Sequence, residues 1–200
     1  MVERAPQAIA ERPARAGAIY LSYQAPKAAG AFTLLRPSDW ELREIPAEER
    51  SWELALLGPI GRAGTYSVGM NVHVWSAGSL SAQGAAEEVL ARYRTGLESR
   101  VLGRAEGLLA GVPAVEAELA FAMHLPLDSL DPQLTTIRQR HVFLRRGDRL
   151  YELTYAAAEE DFSTWFGAFA TLVRTFSFPE KPATGAFRPL LAPMAPMADR

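Results

Sequence analysis

Three histidines, His73, His124 and His141, are the side chains of this sequence best suited to move a proton or ligate a metal. Each falls in a segment that reads as a strand. If His73 and His141 met on neighbouring strands, Glu116 or Glu118 would complete a three-ligand set. Metal centres need tight and usually recognisable ligand spacing, and none occurs here. A pair of half-buried sheet histidines is therefore the plainer expectation. Cysteine is absent, which removes thiol nucleophiles, zinc–thiolate sites and disulfides. No serine stands in a strained elbow or a Ser-x-x-Lys pattern.

Acidic pairs occur at Glu87/Glu88, at Glu116/Glu118 and in the run Glu159-Glu160-Asp161. The first suits the early part of a helix, and the last suits a helix start, where the dipole favours carboxylates. Glu116 and Glu118 share one strand face, as Arg138 and Arg140 share another. The expected use is a solvent-exposed cross-strand ladder, contributing under about 1 kcal/mol per pair. A glycosidase-like carboxylate pair is the alternative use. No constellation reaches the spacing of an enzyme motif, and the chain reads as non-enzymatic, with no cofactor.

Trp75, Tyr151, Tyr155 and Phe143 could line a groove for an apolar peptide, or could simply fill the space between a sheet and a helix. Composition narrows the partners further. A formal net charge of -2 gives no electrostatic reason to expect a nucleic acid. The basic residues are nearly all arginine, Lys27 and Lys181 being the only lysines, a bias that matches GC-rich codon usage. The apolar runs fall short of the ~20 residues of a membrane span. Met1-Val-Glu-Arg-Ala-Pro-Gln lacks the features of a signal peptide. The resulting expectation is a cytoplasmic chain, or an extracytoplasmic one if a leader was removed.

These side chains need a scaffold, and the hydrophobic periodicity supplies one. Ala18–Tyr23 suits an edge strand and Phe32–Leu35 a short strand running into Arg36-Pro-Ser-Asp-Trp40, the tryptophan plugging one end of the core. Trp52–Leu57 is the next strand, followed by a hairpin loop from Gly58 to Gly64. Ser67–Trp75 alternates plainly, with Val68, Met70, Val72 and Val74 on one face and Asn71, His73 and Trp75 on the other. Ser79 or Ser81 caps a helix running to about Val101, with Ala82, Ala86, Val89, Tyr93 and Leu97 as its buried stripe. Arg104–Leu109, Ala114–His124, Thr136–Arg145 and Leu150–Ala156 are strands, with Leu125–Pro132 a loop and Arg146-Gly-Asp148 a hairpin turn. A second helix places Phe162, Trp165, Phe166, Phe169, Leu172, Val173 and Phe176 on one stripe, which must lie on a sheet.

The order is strands, helix, strands, helix, with short loops that make the late strands antiparallel. The fold class is therefore α+β, an antiparallel sheet with two principal helices. Residues 1–30 form an arm with an edge strand, 31–178 the domain, and 179–200 a Pro/Met-rich extended tail.

Phe32-Thr-Leu-Leu-Arg-Pro37-Ser-Asp-Trp40 resembles the opening signature of the PsbP-like superfamily. The strand ending near Trp75, the helix after it, and Leu109-Ala-Gly111-Val-Pro113-Ala114 follow in the family's order. So do Gln139 in a long strand, Arg149-Leu-Tyr-Glu-Leu-Thr-Tyr-Ala, Phe162 and the closing Ser177-Phe178. The resemblance covers roughly residues 30–178 and implies an α/β/α sandwich around an antiparallel sheet. The superfamily includes PsbP, DcrB-like envelope lipoproteins and the Eag-type chaperones of type VI secretion effectors, proteins that generally bind other proteins. Together with the N-terminus, it implies a bacterial chaperone or adaptor that holds an apolar segment of a partner protein. By position, Asn71, His73, Trp75, Gln139, His141 and Phe143 are then the partner-binding residues. The alternatives are an extrinsic or lipid-anchored envelope or photosystem-associated protein, and a hydrolase or metal enzyme using His73 and His141.

Overall fold

The structure, a computed structural model, describes residues 18–47, 51–94, 96–127 and 129–179. Most of the expected N-terminal arm (1–17) and nearly all of the expected tail (180–200) lie outside the described residues. The chain forms β1 (Tyr20–Gln24), a single 3-10 turn at Lys27–Ala29, β2 (Thr33–Pro37), β3 (Glu41–Ala47), β4 (Ser51–Ile60) and β5 (Ser67–Ser76). It continues through α1 (Ala82–Tyr93), β6 (Arg100–Leu109), β7 (Val112–Leu125), β8 (Gln133–Arg146), β9 (Arg149–Ala158) and α2 (Glu159–Thr175).

β1 and β2 make a two-stranded ribbon, and the other strands form one seven-stranded antiparallel sheet in the order β3-β4-β5-β9-β8-β7-β6. Two meanders build it. The first ends at β5, α1 then carries the chain to the far edge, and the second meander returns until β9 meets β5. The expected α+β class and α/β/α layering hold: α1 packs against β7 and β8 on one face, and α2 lies on β9 and β8 on the other.

The α2 face is the main core. Strand alternation turns Trp52, Leu54 and Leu56, Val68, Met70, Val72 and Val74, and Tyr151, Leu153, Tyr155 and Ala157 toward it. The apolar stripe of α2 meets these residues as expected, Phe162 and Phe169 lying 4.7 and 5.6 Å from the Tyr155 ring. Trp40 plugs one end, 4% exposed and set edge-on to Trp165 at 6.3 Å. The ribbon covers the rest of this face. Thr33 and Ser177 exchange backbone hydrogen bonds of 2.8 and 2.9 Å, and the Leu35 amide donates to Thr175 Oγ1, so β2 is stitched to the end of α2. The acidic first turn of α2 does more than suit the dipole. Asp161, 2% exposed, accepts from the Arg62 amide and pairs with its Nε, fastening the β4–β5 turn to the helix.

Three expectations need correcting. The first helix ends at Tyr93, not near Val101. The Gly96 amide bonds back to the Tyr93 carbonyl, Glu98 takes φ +48°, and Arg100–Val101 pair with β7 as part of an edge strand. Leu97, expected in the buried stripe, is 53% exposed. The strand β3 was not expected at all. Its charges and Pro46 break the alternation, as suits an edge strand, where charge and proline discourage stray pairing. Lastly, Tyr151 and Tyr155 face α2 while Trp75 and Phe143 face α1, so the four aromatics line no common groove.

Candidate functional site

The register sorts the face opposite α2 into rows. One row runs Ile45, Glu53, His73, Glu152, Phe143 across β3, β4, β5, β9 and β8. The next runs Arg43, Ala55, Asn71, Thr154, His141, and the third Glu41, Leu57, Gly69, Ala156, Gln139. Trp75 stands opposite Leu150, one step beyond the first row. All six expected partner-binding residues therefore share one face, because β5 and β8 flank β9 and their alternation is in phase.

They fall into two groups by burial. Phe143 is 0% exposed, packed with Val115, Leu150, Ala85 and Ala86 beneath α1. His141 is 4% exposed, its Nδ1 2.7 Å from Glu152 Oε1 and its Nε2 3.2 Å from Gln139 Oε1. Thr154 Oγ1 approaches the same Nδ1 at 3.4 Å, and the His141 ring stacks on Phe143 at 5.8 Å. These two residues are held by their own chain. Asn71, His73, Trp75 and Gln139 are half-buried, with the His73 ring tilted against Trp75 at 4.6 Å.

His73 and His141 do not sit on neighbouring strands, since β9 runs between them. Glu116 and Glu118 cannot join them, because their alternation turns both toward α2. Among the described residues no three His, Asp or Glu side chains are grouped to hold a metal ion. Glu152, unnoticed in the sequence, is the carboxylate that meets His141, and its signal was its place in the alternation of Leu150–Ala156. His124 is exposed near the end of β7 and joins neither histidine.

α1 is held in place at its N-terminal end. Ser81 caps it, its Oγ accepting from the Gly84 amide at 3.0 Å. Arg145 donates to the carbonyls of Leu80, Gly78 and Gly147 at 3.0 to 3.1 Å. So placed, α1 covers the β7–β8 half of the face, its first turns reaching Trp75 and Leu150. The β3–β4–β5 half carries no described helix. A side-chain carbon built on Gly69 would meet nothing within 4 Å, and Ile45 is 44% exposed. This half mixes apolar Ile45, Ala55 and Leu57 with Arg43, Glu53, Asn71 and His73.

The carboxylate–arginine ladder lies on the opposite face and is not the exposed set expected from sequence. Glu116 and Glu118 are 0% and 3% exposed, and Arg140 is 5% exposed. Arg140 pairs with Glu116 and reaches Glu118 Oε2 at 3.7 Å, while Arg138 pairs with Glu118. The Arg138 and Arg140 guanidiniums lie over the Phe162 and Phe166 rings, 4.3 and 4.9 Å from their centroids. Burial raises the Glu116 carboxyl to about 7, with Arg140 opposing and Glu118 adding to the shift.

No protein-family model matches the chain, and no curated protein matches it in sequence. Solved structures do. The solution structure of the cyanobacterial PsbP (CyanoP) from Synechocystis sp. PCC 6803 superposes with a TM-score of 0.51 at 12% identity, over 80% of this chain and 93% of that one. LpqN, involved in cell envelope biogenesis of Mycobacterium tuberculosis, superposes with a TM-score of 0.50 at 12% identity, over 80% and 84% of the two chains. At such identities the likeness is one of fold, and the fold is PsbP-like. Among the described residues no helix is long and apolar enough to cross a membrane.

Proposed function

We propose that the chain is a non-enzymatic protein-binding domain that holds an apolar segment of a partner protein over the uncovered half of its sheet, as a chaperone or adaptor. The observation that carries this reading is the one-sided cover of the α1 face. Helix α1 shields β7 and β8, while the space above Gly69 on β5 is open and Ile45 is exposed on the same side. Asn71, His73 and Trp75 would meet the segment, with Gln139 at its border on β8, and His141 and Phe143 would fix the strand surface beside them. The PsbP-like fold supports the reading, and an Eag-type chaperone of a secretion effector is its most specific form. A second reading, an extrinsic or lipid-anchored envelope protein, draws on the likeness of fold to LpqN, a protein involved in cell envelope biogenesis.

The test is co-purification from the native host with the unaltered chain and with Gly69→Arg. Gly69 has room for a side chain, so the variant should fold while filling the surface. One dominant partner recovered by the unaltered chain and lost with Gly69→Arg is the expected result. Equal recovery by both, or no partner with either, would sink the proposal.

A further inference from the structure

The buried ladder on the α2 face holds an arrangement that structural pairing alone does not call for. Glu116 is fully enclosed, and only its Oε1 is paired, through Arg140; its Oε2 has no hydrogen-bond partner. An ionised carboxylate with one dry, unpaired oxygen is a costly thing to keep, whereas a neutral carboxyl there costs much less. The neighbours limit how the charge can be compensated. From β8 come Arg138 and Arg140, and from β7 comes Glu118. From β6, Ala105 and Gly103 stand opposite Glu116 and Glu118 and bring no charge. Helix α2 brings the rings of Phe162 and Phe166, and β9 brings Tyr155, whose hydroxyl is committed to the Phe162 carbonyl. Among the described residues the set therefore holds two guanidiniums and two carboxylates, neutral in sum when both acids are ionised and +1 when Glu116 is protonated. The two aromatic faces are suited to accept that extra positive charge.

We propose that Glu116 is a buried proton switch which, through Arg140, sets how firmly the first turns of α2 are seated on the sheet. With Glu116 neutral, Arg140 is freer to lie against the Phe166 ring and to serve Glu118. With Glu116 ionised, Arg140 is drawn to it, and the seat under Phe166 loosens. Burial moves Glu116 from 4.5 to about 7, which places the exchange in the neutral range. The folded chain then holds one more proton than the unfolded chain between those two values. The stability that neutral Glu116 contributes is complete below about 4.5 and is lost as pH rises through about 7.

The experiment compares urea unfolding of the whole chain and of Glu116→Gln from pH 5 to 8.5, with amide exchange read at Phe166 and Phe169. The ratio of the two folding equilibrium constants should change across this window by up to on the order of 10²-fold, the original losing ground to Glu116→Gln as pH rises. Exchange protection at the start of α2 should fall with it. Parallel stability profiles would overturn the proposal, and so would a difference in stability that leaves exchange in α2 untouched. If Glu116→Gln does not fold, the carboxyl carbon resonance of Glu116 in the original chain decides. A titration step between pH 6 and 8 supports the switch, and a carboxylate still ionised at pH 5 overturns it.

Discussion

The Tyr155 hydroxyl donates a 2.7 Å hydrogen bond to the backbone carbonyl of Phe162, tying the last residues of β9 to the first turn of the helix that follows. Both residues are buried, so the bond lies in a dry part of the main core. Replacing Tyr155 with Phe keeps the ring packing and removes only the donor. The expected loss is about 1–2 kcal/mol in urea unfolding, with the stripe of α2 still in place.

The same hydroxyl makes an alkaline limit. Burial first, and the nearby Asp161 second, raise the Tyr155 phenol above its ordinary value of 10.0, and burial also raises Tyr23, which donates to Glu44. The unfolded chain ionises these phenols near 10 and the folded chain does not. The stability they contribute is present below that pH and declines above it. The phenolate absorbance that Tyr155 contributes, read as the difference between the chain and Tyr155→Phe, should therefore rise only together with loss of the near-ultraviolet dichroism signal. Tyr155 phenolate appearing well before unfolding would contradict this.

Two glycines should respond oppositely to alanine. Gly30 takes φ +91°, and a side-chain carbon there would run into the Tyr151 hydroxyl, which donates to the Gly30 carbonyl at 3.2 Å. Gly30→Ala is expected to cost about 2 kcal/mol or more, from the left-handed backbone and the overlap together. Gly69→Ala has open space and an ordinary strand backbone, and should be neutral or slightly stabilising. Thermal denaturation of the pair checks both.

Arg145 is the anchor of α1. Its three backbone acceptors lie at both ends of the link between β5 and that helix and in the β8–β9 turn. Arg145→Ala should increase amide exchange across α1 while leaving α2 protected, with a loss of about 1–3 kcal/mol. Unchanged exchange across α1 would show that the helix is held by packing alone, and equal loosening of both helices would show a global loss of stability with no local anchoring.

The contact between His141 and Glu152 supports the central strands of the proposed binding face. A double-mutant cycle with His141→Ala and Glu152→Gln should give a coupling of about 0.5–3 kcal/mol. Partner capture should fall with either change if the strand surface must stay rigid, and additive, independent effects would argue against that role.

Much of this fold was legible where periodicity is strong. The alternation from Ser67 to Trp75 and the stripe of α2 each dictated an element and the face it buries. Edge elements were harder. Strand β3 carries Glu41, Arg43, Glu44 and Pro46, a pattern without strand alternation, because an edge strand need not be apolar. The ladder of Glu116, Glu118, Arg138 and Arg140 looked like a solvent face, since charged residues every second position usually are one. Its burial depends on which face α2 covers, and that follows from strand order, which alternation cannot supply. The candidate site was legible as a set of like-facing residues on two strands. That β9 separates those strands, and that Glu152 lies between the histidines, required the register.

The insertion of β9 beside β5 has a last consequence, for how the molecule assembles. Each meander zips up between near neighbours in the chain, but the β5–β9 seam joins its two halves, pairing Gly69 with Ala156 and His73 with Glu152. Helix α1 comes from the first half and rests on strands of the second, while α2 comes from the second half and docks on the ribbon of the first. The halves are thus clasped to one another and not merely set side by side. Closing this seam is the step with the greatest loop-entropy cost, and it should govern the folding rate. A chain severed between α1 and β6 should yield two fragments that regain structure only when mixed.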